Sequence, residues 1–166
     1  MPHKALAFLC CLVLVAAAIG NPTPSAAAQE APSFELESLQ GENVSLQELT
    51  ADGRHLLLVF WTTWCPSCRK TMPQVNQIAL DSSRDDLSVL GINAGWNDSR
   101  SKTVNFRDKH ELSFPIGFDH NSRITEKFGI RGVPSLFLIG PENRIRYLSY
   151  GVDNQLLKLL ERIGSD

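Results

Sequence analysis

The stretch Phe60–Gln74, FWTTWCPSCRKTMPQ, sets two cysteines three residues apart where an apolar run gives way to a segment of helical character. Its reading decides the fold, because a C-x-x-C pair serves three different ends: a structural staple, half of a metal site, or a working redox pair. The cysteine count separates them. Of four cysteines in the chain, Cys10 and Cys11 lie inside the unbroken apolar run Ala5–Ile19, which follows Lys4 and is trailed by Ala26-Ala27-Ala28 in an A-x-A pattern. That run has 15 residues, short of the roughly 20 that a membrane-spanning helix needs, and reads as a secretory signal cleaved after Ala28. The alternative is a retained anchor, with GNPTPSAAAQEAPS as its flexible tether.

Residues 1–28 are therefore set apart from a single domain of 138 residues, 29–166, long enough to bury a core without staples. That domain carries 15 Lys and Arg against 18 Asp and Glu, well mixed along the chain. With no basic stripe, neither nucleic acid nor an anionic membrane surface is an expected partner. Only Cys65 and Cys68 remain as cysteines. A bridge closing so small a loop restricts the unfolded chain little, so a stabilising staple is a poor reading. A structural zinc site takes four ligands, commonly as two pairs; no second pair exists, and His55, His110 and His120 are scattered. No metal and no cofactor is expected.

Hydrophobic runs and turn signals alternate in the order of a mixed sheet covered by helices. Phe34–Leu39 alternates weakly and precedes a turn, QGEN, and a short edge strand or helical turn in VSLQELTADGR. Leu56–Trp61, LLLVFW, is a continuous apolar strand of the kind buried on both faces. A helix is expected over Pro66–Leu80 with a kink at Pro73, a second buried strand over Leu87–Asn93, and a helix over Ser101–His110. FPIGFD reads as a short strand, and HNSRITEKFGI as a helix opened by Asn121 or Ser122 and closed at Gly129. Strands over Val133–Ile139 and Arg144–Tyr150 flank the turn GPEN, and an amphipathic helix runs from Asn154 to Ile163.

Two cysteines three apart on the first turn of a helix bring their sulfurs within bonding distance. Their places on the helix make them unequal. Cys65 sits at the cap, where unsatisfied N–H groups and the positive end of the helix dipole stabilise a thiolate, while Cys68 lies one turn in. Pro66 suits the first helical position, which has no use for the missing N–H. Cys65 is thus expected as the exposed nucleophile, and Cys68 as the group that resolves the mixed disulfide.

The strand and motif LLLVFWTTWCPSC, the helix RKTMPQV and the later FGIRGVPSLFLIGPENRI together resemble the thioredoxin superfamily, and more closely the secreted TlpA/ResA-like thiol-disulfide oxidoreductases. The resemblance covers nearly all of Ser33–Ile163. It implies an α/β thioredoxin fold, a mixed central sheet flanked by helices, with an N-terminal extension and a central insertion. It also implies a cis peptide before Pro134, with the Val133 backbone offered to an extended substrate. Trp64 and Pro66 are expected at the substrate surface beside Cys65, and Trp61 in the core.

Two departures stand out. Where thioredoxins carry a buried aspartate in the strand before the motif, this chain has Val59; where TlpA/ResA-like proteins place a glutamate after the second core strand, it reads INAGWNDS, with Trp96 at the expected acid. Asp98 then reads as a solvated loop residue, unless its loop folds inward to bring it to the site. Arg69 and Lys70 follow the motif, either solvated or acting on Cys65 through space.

The resemblance implies a reductant of protein disulfides in the periplasm, possessing a membrane electron donor and acting as a monomer, of the sort that keeps haem-binding or copper-centre cysteines reduced. Two other readings are a thiol peroxidase, suggested by Thr62-x-x-Cys65 but with Leu58 where the peroxidase proline belongs, and a copper-delivery protein.

Overall fold

The computed structural model describes residues 29–81 and 85–163. The expected signal, with Cys10 and Cys11, lies outside the described residues. In chain order the elements are β1 (Glu35–Glu37), β2 (Asn43–Ser45), α1 (Leu46–Leu49), β3 (His55–Trp61), α2 (Pro66–Leu80), β4 (Leu87–Asn93) and α3 (Arg100–Lys109). They continue with β5 (Ile116–Phe118), α4 (Arg123–Lys127), β6 (Ser135–Ile139), β7 (Ile145–Ser149) and α5 (Asn154–Ile163).

Five strands form one mixed sheet in the order β5-β4-β3-β6-β7. β3 runs parallel to β4 and antiparallel to β6, so the apolar run LLLVFW lies at the centre, as expected. Its side chains divide with period two. Leu57, Val59 and Trp61 enter one apolar cluster with α2 and α5, while Leu56, Leu58 and Phe60 enter another with α4 and the β1–β2 side of the molecule. Because both faces are covered, alternation of polar and apolar residues is absent from this strand.

The stretch between α3 and β6 supplies the edge strand β5, parallel to β4, and the short helix α4. The edge left by β5 is closed by chain from the N-terminal side: Ser38 bridges Gly117, and Leu39 N–H donates to the Ile116 carbonyl. Gly117 leaves room there for the Leu36 side chain, which a Cβ at this position would force to move. Of the weakly alternating stretch Phe34–Leu39, Glu35–Glu37 forms a strand, paired with β2 in a separate two-stranded sheet.

α2 spans Pro66–Leu80 as expected, with Pro73 inside it. Two expectations change in detail. α4 is shorter than expected; Ser122 holds its N-cap position, as expected, but its side chain makes no capping bond. Ser122 spends its hydroxyl on the Ala94 carbonyl, and the buried Asp119 caps instead, its Oδ2 accepting from the Thr125 amide and hydroxyl at 2.8 Å each. The strand expected from Val133 begins at Ser135, directly after the cis Val133–Pro134 peptide. Among the described residues no helix is long and apolar enough to cross a membrane.

At the far end of β3, His55 carries a buried Nδ1 without a hydrogen-bond partner. Burial lowers its pKa below the ordinary histidine value, against the opposing pull of Asp86 and Glu142. The unfolded chain therefore binds a proton at a pH where folded His55 still resists one. Stability is expected to fall as pH drops below about 6.5, levelling once the folded residue is also protonated. Thermal midpoints measured from about pH 7.5 to 5 should flatten in His55→Gln, and an unchanged slope in that variant would refute the assignment.

Candidate active site

The carboxyl end of β3 delivers the chain directly to the cysteines. After Trp61, residues 62–64 lead to Cys65, the N-cap of α2, with Pro66 at the first helical position. Cys65 and Cys68 are joined as a disulfide, their Cα atoms 5.2 Å apart. The cap is made by sulfur: the Cys68 N–H donates to Cys65 Sγ at 3.2 Å, and Ser67 Oγ lies 3.2 Å from the same atom. This is the geometry that favours a thiolate, a helix amide aimed at the atom that would carry the charge.

Pro134 lies across from the pair. The Val133–Pro134 peptide is cis, and the Val133 carbonyl oxygen lies 3.4 Å from Cys65 Sγ. Val133 is half-buried and Pro134 buried, whereas Trp64, 47% exposed, and Pro66 form the open rim. Trp61 is wholly buried, as expected.

The expectation of an exposed Cys65 needs correction. In the disulfide it is only 3% exposed, against 0% for Cys68. The asymmetry keeps its direction but is small, because Ser67 and the Val133 carbonyl close over the sulfur that the helix amide holds from below. Both cysteines belong to the apolar cluster that includes Val59 and Met72. Val59 thus presents a hydrocarbon on the face where thioredoxins have a carboxylate.

Asp98 is also corrected. It is no solvated loop residue: its loop folds inward, and its carboxylate accepts from Thr63 N–H at 2.6 Å and Thr63 Oγ at 2.8 Å. It further accepts from Asn93 Nδ2 at 2.8 Å and from Ser99 N–H at 2.9 Å. None of these partners is a cysteine. Beside it, Trp64 Nε1 donates to the Trp96 carbonyl at 2.6 Å, so the tryptophan standing at the expected acid contributes its backbone. Arg69 is exposed, and its Nε reaches back to the Thr63 carbonyl at 3.2 Å; Lys70 is exposed as well. Sequence reasoning missed Thr63 and Asn93. The buried Asn93 at the end of an apolar strand was the signal available, since a buried amide demands partners.

A central strand that feeds a C-x-x-C disulfide at a helix N-terminus, faced by a cis-proline, defines a thioredoxin-fold protein. Residues 27–148 match the model of the AhpC/TSA family, and the chain belongs to that family. It is 33% identical over 119 residues to the thiol-disulfide oxidoreductase ResA of Halalkalibacterium halodurans, a match covering 72% of this chain and 65% of that relative. It is also 33% identical to the thioredoxin-like protein YneN of Bacillus subtilis, covering 74% of this chain and 71% of that one. Among solved structures, StoA from Bacillus subtilis superposes with a TM-score of 0.67 at 24% identity, covering 82% of this chain and 98% of that one, which shows the fold.

Proposed function

We propose that the protein is a thiol-disulfide oxidoreductase that exchanges disulfides with protein substrates through Cys65 and Cys68. The observation that carries this reading is the Cys65–Cys68 disulfide at the head of α2, with the Cys68 amide on Cys65 Sγ and the cis Val133–Pro134 peptide facing it. In the reduced pair the Cys65 thiolate attacks one sulfur of a substrate disulfide, forming a mixed disulfide and expelling a substrate thiolate. The Cys68 thiolate then attacks Cys65 Sγ, expelling the second substrate thiolate and closing Cys65–Cys68. Two electrons pass to the substrate, which takes up two protons, and an external dithiol must reduce the pair again.

The Val133 backbone would pair with an extended substrate segment, Pro134 would keep other ligands from the sulfurs, and Trp64 and Pro66 would border the docking surface. The apolar run before residue 29 and the likeness to ResA support an extracytoplasmic setting, periplasmic or membrane-anchored, with a membrane electron donor and reduction as the working direction. Substrates of the class that bind haem or copper through cysteines fit that direction.

The decisive test is the equilibrium reduction potential of the pair in the purified protein, read by tryptophan fluorescence in thiol-disulfide buffers. A reductant is expected near or below about −270 mV. A potential near −120 mV would instead make the protein an oxidant that introduces disulfides. Consumption of hydrogen peroxide faster than exchange with a protein disulfide would replace the reading with that of a thiol peroxidase.

A further inference from the structure

The loop between β4 and α3 grips the residues that lead into Cys65, and the grip is made by Asp98. An ionised carboxylate offers about four lone-pair positions. Here all are taken: Oδ2 accepts from Thr63 N–H and Asn93 Nδ2, and Oδ1 from Thr63 Oγ and Ser99 N–H. Both donors of Thr63 are therefore bound to one charged group, and such charge-assisted bonds are the strong ones. The Thr63 carbonyl is held from the other side by Arg69 Nε, a residue of α2.

The grip is itself anchored. Asn93 is fully buried at the end of β4, and its Nδ2 also donates to the buried Thr103 Oγ at 2.9 Å. Thr103 in turn donates to the Ser99 carbonyl at 2.8 Å, tying α3 to the loop. Asn93 Oδ1 accepts from the Gly95 amide, and Gly95, at φ 73°, passes so near the Asp119 carbonyl that a Cβ would lie 2.3 Å from it. The loop is thus seated on the sheet from both ends. The tie from Trp64 Nε1 to the Trp96 carbonyl adds a second link between the same two loops.

We infer that Asp98 is a positioning residue for Cys65: its carboxylate fixes Thr63, and through it the chain entering the helix cap, so that the sulfur stays aligned for attack. The inference rests on the exchange function proposed above. A saturated carboxylate has no lone pair left for the Cys68 thiol, so its part is to hold geometry rather than to carry a proton. Displacements of about 1 Å at a reacting group can cost on the order of a hundredfold in rate, which is why such a clasp matters. Trp64 and Trp96 border the same clasp, so a protein docking against Trp64 bears on the loop that aligns the nucleophile.

The test compares Asp98→Ala, Asp98→Asn, Thr63→Val and the double variant Thr63→Val with Asp98→Ala. The readouts are the pH profile of attack on an aromatic disulfide, the reduction potential of the pair, and the thermal midpoint. Asp98→Ala is expected to slow attack about thirtyfold and Thr63→Val about threefold, the sizes of a charge-assisted cluster and of one hydroxyl bond. The double variant should be no slower than Asp98→Ala, because both changes break one clasp. Asp98→Asn keeps an acceptor for Thr63 N–H and a donor for the Thr63 hydroxyl while giving up the charge and the acceptor for Ser99 N–H, and should recover part of the rate with the pH profile unchanged in shape.

If Asp98→Asn is as slow as Asp98→Ala while Thr63→Val matches the parent, Asp98 carries a proton and the inference fails. Lowered thermal midpoints with unchanged rate and potential would reduce the clasp to a structural role and overturn it equally. A parent protein that does not exchange disulfides at all would sink the proposed function, an outcome distinct from either.

Discussion

Cys65→Ser is expected to abolish disulfide exchange, by about 10⁴-fold or more, because Cys68, the one other cysteine in residues 29–166, is fully buried within α2 and lacks the N-cap position that favours a thiolate. Serine retains the size of the side chain and its capping ability, so the fold should persist while the nucleophile is lost. Cys68→Ser should behave differently. It leaves Cys65 at the N-cap with the amide of residue 68 still available to its sulfur, so the first attack proceeds and resolution does not. One equivalent of a disulfide substrate should then accumulate as a covalent adduct on Cys65, visible by intact-mass measurement and released by dithiothreitol. Adduct at residue 68 in Cys65→Ser, with none at residue 65 in Cys68→Ser, would reverse the assigned roles. That outcome is not trivial, since the two sulfurs differ by only a few per cent in exposure.

The second large effect is on stability. Phe60 is fully buried in β3 and packs its ring against Phe128 at 5.2 Å and Phe137 at 5.9 Å between centroids. Phe128 in turn meets Phe34 edge-on at 6.1 Å, so the four rings bind the centre of the sheet to α4 and to the N-terminal side of the domain. Phe60→Ala removes a side chain that nothing nearby can replace and should cost about 3–5 kcal/mol. Against a typical total of roughly 5–15 kcal/mol, that is a large fraction of the stability. A urea midpoint lower by roughly 2 M is expected, given the usual slope for a domain of this size. Leu80→Ala serves as the control: Leu80 ends α2 with 57% of its surface exposed, and its loss should stay within about 0.5 kcal/mol. A Phe60→Ala midpoint within about 0.3 M of the parent would show that the ring cluster contributes far less than its burial implies.

Much of the architecture was legible in the chain because its signals are local. LLLVFW is apolar at every position, and only a central strand covered on both faces accommodates that pattern. Pro66 directly after Cys65 marks the start of a helix, and the final helix shows its face in Leu156 and Leu160, both fully buried. The cysteine pair was legible by arithmetic, since no other cysteine remained to partner either one in residues 29–166. The cis peptide at Val133 and Pro134 was legible only through resemblance, because the dipeptide by itself reads equally well as the start of an edge strand.

Asp98 shows where such reading stops. Its neighbours Asn97 and Ser99 are polar, and a polar loop ordinarily lies in solvent. Its partners, Thr63 and Asn93, are 35 and 5 residues away, and the first is brought near only when β3 and β4 pair in register, Trp61 opposite Asn93. The burial of Cys65 was hidden for the same reason: the carbonyl that covers it comes from Val133, 68 residues on. The sequence by itself determined the central strand, the capped helix and the identity of the reactive pair, because each follows from the order of neighbouring residues and their torsional and hydrophobic preferences. Tertiary structure alone decided which groups surround that pair, since hydrogen bonds between loops exist only after the sheet has fixed where the loops meet.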